Sequence, residues 1–221
     1  MGGVGVQGMF PPTPNFPAFY LTFLLANPDN RIAPTVWNEM KDSMRYGQVP
    51  VVDVDGKEMA QSNAILRWVA TLGDGSLYPA DKMFKVEEAM GVLEDYMRVW
   101  SPCLYQAMKP EMFGRTAEWP KTEEGVATIK ALREKFVADE LPKFVKFLER
   151  LLEDSGGPFL CGTTPTIADM AWVPILRALR GGFLDHVPST CLDQYATITS
   201  YLEAFYALPA LVPYYAAKNK K

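Results

Sequence analysis

Residues 47–62, GQVPVVDVDGKEMAQS, decide how this chain folds. Val49 to Val54 is a β-branched run, Asp55-Gly56 is a strong two-residue turn signal, and Lys57 to Gln61 returns as a second strand. The stretch therefore reads as a β-hairpin. Pro50 has no N–H to give to a ladder, so it belongs at the start of the strand or in a cis turn, which leaves the Val49 backbone free to pair with something else. Ser62 reads as an N-cap. Behind it Ala64, Ile65, Trp68, Val69 and Leu72 recur at helical spacing, and Gly73 stops the helix.

Upstream, the first 28 residues carry no charged side chain. Phe16 to Ala26 is apolar but too short to span a bilayer, a secretory signal would want a basic region before it, and MGGVGV lacks the Ser or Thr of a myristoylation signal. Read as structure, Val4 to Met9 is a short strand, Pro11 to Pro14 a turn, Asn15 to Asn27 a helix ended by Pro28, and Arg31-Ile32 the start of a second strand. A short helical segment near Trp37 to Met44 leads into the hairpin and its helix. That is a thioredoxin-like order.

Downstream of Tyr78-Pro79 the pattern turns helical. Val86, Ala89, Met90, Leu93, Met97, Trp100 and Leu104 mark one long amphipathic helix, with Pro102 as a kink. A polar loop from Arg115 to Lys121 precedes a second helix, Glu123 to Glu153, interrupted at Pro142, and Gly156-Gly157-Pro158 breaks the chain again. Thr166-Ile167-Ala168-Asp169 reads as a capping box with Ile167, Met170, Ala171 and Ile175 as the buried stripe behind it.

Composition removes several function classes. The chain has 221 residues, 48% of them hydrophobic, which is enough for two small cores or one large one. Net charge is −4 and the only basic block is the terminal KNKK, so nothing argues for nucleic acid or an anionic membrane as partner. Cys103, Cys161 and Cys191 have no metal spacing, and an odd number argues against a disulfide framework, which suits the cytoplasm. His186, the single histidine, follows a Gly-Gly break and reads as a loop residue, so no metal site is expected.

GQVPVVDVDG followed by QSNAILRW resembles the glutathione-binding half of the cytosolic glutathione transferases, nearest the sigma, pi, mu and alpha group. The likeness runs over about residues 31 to 221, and Phe159-Leu160-Cys161-Gly162 before the capping box adds to it. It implies an α/β plus all-α architecture. A thioredoxin-like glutathione-binding domain at 1–79, with the first ~30 residues divergent, precedes an all-helical substrate and dimerisation domain at 84–221.

Glutathione is an extended anionic tripeptide, so its host needs a strand edge and donors for two carboxylates. Val49, freed by Pro50, suits the first task. Ser62 at a helix N-terminus suits the γ-glutamyl carboxylate, with Gln61 adding an amide. The resemblance places Trp37 and Lys41 at the glycine carboxylate, Gln48 beside the peptide, Asp95 at the glutamyl amine across a homodimer interface, and Tyr105 facing the electrophile. Each has a plainer reading: Trp37 as core, Lys41 and Asp95 as solvated charges, Ser62 as a cap alone, Tyr105 as a core or interface aromatic. Their joint spacing favours the site.

One part of the family pattern is missing. The resemblance implies a tyrosine at the end of the first strand that donates to the glutathione thiolate, and an ungapped count back from Arg31-Ile32 puts Val6 there. No serine precedes Ser43 and no cysteine precedes Cys103. Thr13 and Tyr20 remain as hydroxyl sources, and the catalytic residue is unassigned. The implied function is conjugation of glutathione, as co-substrate, to small hydrophobic electrophiles in detoxification. The alternative is a non-catalytic, crystallin-like binding or structural protein.

Overall fold

A computed structural model describes residues 6–7, 39–48, 50–54, 56–72 and 74–212. The expected helix from Asn15, the strand at Arg31, Thr13, Tyr20, Trp37 and Val49 lie outside them. The chain divides into two compact units, residues 1–79 and 80–221.

In the first unit, β1 (Val6–Gln7), β2 (Val51–Val54) and β3 (Lys57–Ala60) form a sheet in that order. Both pairings are antiparallel, Val6 opposite Val54 and Val51 opposite Ala60. The hairpin turns at Gly56, whose φ of 78° is the left-handed backbone this tight connection requires. Pro50 stands immediately before β2, where its missing N–H costs no ladder bond.

Helix α1 (Ser62–Thr71) follows, and the N-cap position is Gln61, not Ser62, which is the first helical residue. Its buried residues are Ile65, Leu66, Val69 and Ala70, while Ala64 is exposed and Trp68 only half-buried. The expected stripe was thus rotated. Apolar residues on both flanks of the segment fit the helical period, and packing against β3 selects the phase.

The second unit contains α2 (Met83–Met108), α3 (Glu123–Lys135), α4 (Leu141–Ser155), α5 (Ile167–Arg180) and α6 (Ala196–Tyr206). The seam of α2 agrees with expectation through Leu93 and at Trp100, but Tyr96 and Cys103 are buried where Met97 and Leu104 were expected. Aromatic packing accounts for the change. The Tyr96 ring meets Phe136, Phe144 and Trp172 edge-on at 5.5, 5.3 and 5.5 Å, an arrangement a methionine would not reproduce.

Helix α5 is buried almost all round, including Trp172, Val173, Leu176 and Leu179, whereas Ala171 and Ile175 are half-buried. Trp172 Nε1 donates to the Ala89 carbonyl of α2 at 2.9 Å. The capping box is present. Asp169 accepts from the Leu160 amide at 2.9 Å, the Thr166 amide at 2.7 Å, the Thr166 hydroxyl at 3.1 Å and the Tyr201 hydroxyl at 3.0 Å. Burial pushes its carboxyl above the ordinary range, and these donors oppose that shift.

The loop expected at Arg115 to Lys121 includes a 3-10 turn at Trp119–Lys121, with Trp119 buried under the Arg115 guanidinium 4.7 Å from its ring. Thr122 caps α3 by accepting from the Gly125 amide at 3.1 Å. The interruption expected at Pro142 is a π-helical segment, Phe136–Glu140, directly before α4. Proline offers no N–H and crowds the carbonyl four residues back, and widening the turn relieves both. Gly156 then ends α4 with a left-handed φ of 66°.

Candidate functional site

The hairpin and α1 carry Pro50, Gln61 and Ser62 of the expected residues, and the segment before them carries Lys41 and Gln48. The ladder ends at Val51 opposite Ala60, with Pro50 directly before β2 and Gln61 directly before α1. Gln61 holds φ 75° and ψ 110°, a conformation that side chains rarely adopt. Backbone strain of this kind costs about 1–3 kcal/mol and persists only where its surroundings enforce it. Its carbonyl accepts the first helical bond, from the Ile65 amide at 2.9 Å. The amides of Ser62, Asn63 and Ala64 therefore precede the helical ladder, and Ser62 is exposed. Open donors and the positive end of the helix dipole make this a place for a carboxylate.

A loop delivers the cation. Lys41 opens a 3-10 turn, Lys41–Ser43, and its stem lies along Gly47, where a Cβ would sit 3.8 Å from its Cγ and Cε. The Arg45 amide donates to Glu58 Oε1 at 3.0 Å and the Arg45 guanidinium to the Glu58 carbonyl at 3.2 Å, which pins the loop to β3. Lys41 and Gln48 are both exposed. The first unit thus carries exposed residues at Lys41, Gln48 and Ser62, an ammonium, a side-chain amide and the first residue of α1.

The remaining candidates belong to the second unit. Asp95 is exposed on α2 and accepts from the Arg98 guanidinium at 2.9 Å. Tyr105 is half-buried on the same helix, with Lys109 Nζ 5.8 Å from its ring centre. Among the described residues no group of His, Cys, Asp and Glu could hold a metal. No helix among them is long and apolar enough to cross a membrane.

Three comparisons bear on this geometry. The family described as "Glutathione S-transferase, C-terminal domain" matches residues 115–218. The chain is 28% identical over 145 residues to probable glutathione S-transferase 5 of Caenorhabditis elegans, covering 65% of this chain and 63% of the relative. It is 27% identical over 193 residues to glutathione S-transferase 1 of Ascaris suum, covering 87% and 84%. Residues 115–218 are thus similar to the C-terminal domain of glutathione S-transferases, and the relatives extend that likeness along the chain. A solved structure of a C. elegans glutathione transferase superposes with a TM-score of 0.68 at 23% identity, over 90% of this chain and 88% of the other, so the fold is the thioredoxin-like plus helical one.

Strand β1 places Val6 beside the hairpin, opposite Val54. A valine has no hydroxyl for a thiolate. The strained backbone of Gln61 is a feature of the site that sequence reasoning missed. Glutamine gives no cue to a positive φ, because the preference that would reveal one belongs to Gly, Asn and Asp.

Proposed function

We propose that the chain binds glutathione on the 1–79 domain and conjugates it, through its thiol sulfur, to small hydrophobic electrophiles held by the helical 84–221 domain. The observation that carries the reading is the open N-terminus of α1, with Ser62 exposed behind the strained Gln61. In this reading Ser62 and Gln61 hold the γ-glutamyl carboxylate. Val49, freed by Pro50, pairs with the cysteinyl backbone, and Gln48 lies beside it. Trp37 and Lys41 meet the glycine carboxylate. Asp95 reaches the glutamyl amine of the partner subunit in a homodimer, and Tyr105 faces the electrophile. The exposure of Met83 (45%) and Phe84 (81%) on the first turn of α2 supports a homodimer, because such apolar surface gains from being covered.

The chemical step needs a thiolate. A free thiol has a pKa near 8.5, and lowering it by about two units takes roughly 2.7 kcal/mol. The amides of α1 and the Lys41 ammonium bind and orient the peptide. The donor to sulfur stays unassigned, and a non-catalytic glutathione-binding protein differs from the leading reading in lacking it.

Calorimetric titration with glutathione tests the reading, alongside conjugation to an aryl halide. Binding that Ser62→Ala weakens about tenfold, with measurable conjugation by the parent chain, is expected. Binding without conjugation would leave the non-catalytic alternative. No binding by the parent chain would sink the transferase reading and leave the structural, crystallin-like alternative.

A further inference from the structure

Helix α2 carries two apolar stripes, and only one of them is core. Met90, Leu93, Tyr96, Trp100 and Cys103 on the first are buried. Met97, Ser101, Leu104 and Met108 follow one another at i, i+4, i+7 and i+11, which sets them side by side on a neighbouring face about three turns long. Met97 and Leu104 are half-buried, and Met108 at the end of this face is 67% exposed. Tyr105, also half-buried, borders it, and Met112 in the 3-10 turn that follows (Pro110–Phe113) is exposed as well. The second stripe is therefore an apolar wall that the helical unit leaves partly open.

One cation stands at the end of that wall. Lys109 is the C-cap of α2, its amide donating to the Tyr105 carbonyl at 2.8 Å and its carbonyl accepting from the Met112 amide at 3.1 Å. Its backbone is thus held from both sides. The ammonium lies 5.8 Å from the centre of the Tyr105 ring, within reach of a cation–π contact, which gives a flexible side chain a preferred place beside the aromatic. Among the described residues it has no carboxylate partner, Glu111 two positions on included. A lysine at a helix C-terminus also gains from the helix dipole, and that gain leaves its N–H donors open to a ligand.

We propose that Lys109 sets the charge of the substrate: the electrophiles this chain favours carry an anionic group, received by Lys109, and an apolar body that lies along Leu104 and Met108. A neutral apolar molecule at this wall would strip water from the ammonium and give it no partner. A carboxylate replaces that water with a charge-assisted hydrogen bond. A cationic electrophile would meet charge of its own sign. The inference rests on the reading of Tyr105 as facing the electrophile, and it adds the class of molecule that Tyr105 meets.

The test compares a chloronitrobenzoate with the chloronitrobenzamide of the same substitution pattern, two aryl halides of similar shape that differ in charge. In both, the glutathione sulfur bonds to the ring carbon, chloride leaves with its electron pair and the thiol proton goes to solvent. Each kcat/KM is divided by the rate without protein, and the benzoate-to-benzamide ratio is the readout, which a merely structural role for Lys109 would not move. The ratio should exceed one in the parent. Lys109→Gln should lower it about fivefold, and Lys109→Arg, which keeps the charge, should hold it. Lys109 is exposed, so both variants should retain the parent's circular dichroism. A parental ratio of one or less, a ratio that Lys109→Gln leaves where it was, or one that Lys109→Arg lowers equally overturns the inference while the transferase reading stands. No conjugation of either halide by the parent overturns both.

Discussion

The Tyr201 hydroxyl of α6 donates to Asp169 Oδ1 of α5 at 3.0 Å, joining two helices at a carboxylate with no solvent exposure. The same carboxylate holds the Leu160 and Thr166 amides, so one side chain closes the β-bridge between Phe159 and Gly162, the start of α5 and the contact with α6. Asp169→Ala would leave two buried amides and a phenol without an acceptor, and a loss of about 4 kcal/mol is expected. Tyr201→Phe removes one donor of several and should cost about 1 kcal/mol. The double variant should cost about 1 kcal/mol less than the sum, because phenylalanine leaves no orphaned hydroxyl. Urea denaturation of the four proteins measures this, and strict additivity would rule out the coupling.

Gln61 separates stability from binding. Gln61→Gly puts a residue without a Cβ at φ 75°, which relieves strain in the folded chain while the freer unfolded chain takes some of the gain back. Stability should stay within about 1 kcal/mol of the parent, while glutathione affinity falls through loss of the amide donor. A large loss of stability with unchanged affinity would show that the strained backbone serves packing alone.

Gly125 sets propensity against space. Alanine there gains about 1 kcal/mol of helix propensity. Its Cβ, however, would run into the Trp119 carbonyl and lie 3.0 Å from Pro120 Cα, backbone that no rotamer change can move. Overpacking should win by about 2 kcal/mol, so Gly125→Ala is expected to unfold at lower urea than the parent. An increase in its midpoint would refute that account.

Alkaline pH should destabilise the fold. Burial pushes Cys103, Cys161 and Cys191 above their ordinary 9.0, and Tyr201 and Tyr206 above 10.0. The folded chain keeps protons that the unfolded chain gives up, so stability is complete below about pH 9 and falls as pH rises through the raised folded values. Urea midpoints measured between about pH 7.5 and 10.5 should be level at first and then drop, and the thiols should resist an aromatic disulfide reagent until the chain unfolds. Rapid labelling of the native protein near neutrality would contradict this.

Much was readable in the residues themselves because it depends on neighbours in the chain. The Val49 to Gln61 hairpin follows from β-branched strands and Asp55-Gly56, the box at Thr166 and Asp169 from a three-residue spacing, and the break at Gly156 from a left-handed cap. Tertiary structure decided what depends on distant partners. The aromatic cluster chose Tyr96 over Met97, and packing on β3 turned α1 toward Leu66 and Ala70. The tension at Pro142 was resolved as a π turn rather than a kink or a break. The positive φ of Gln61 and the tie from Tyr201 to Asp169 had no sequence signature, because strain and long-range hydrogen bonds exist only once separate segments hold one another in place.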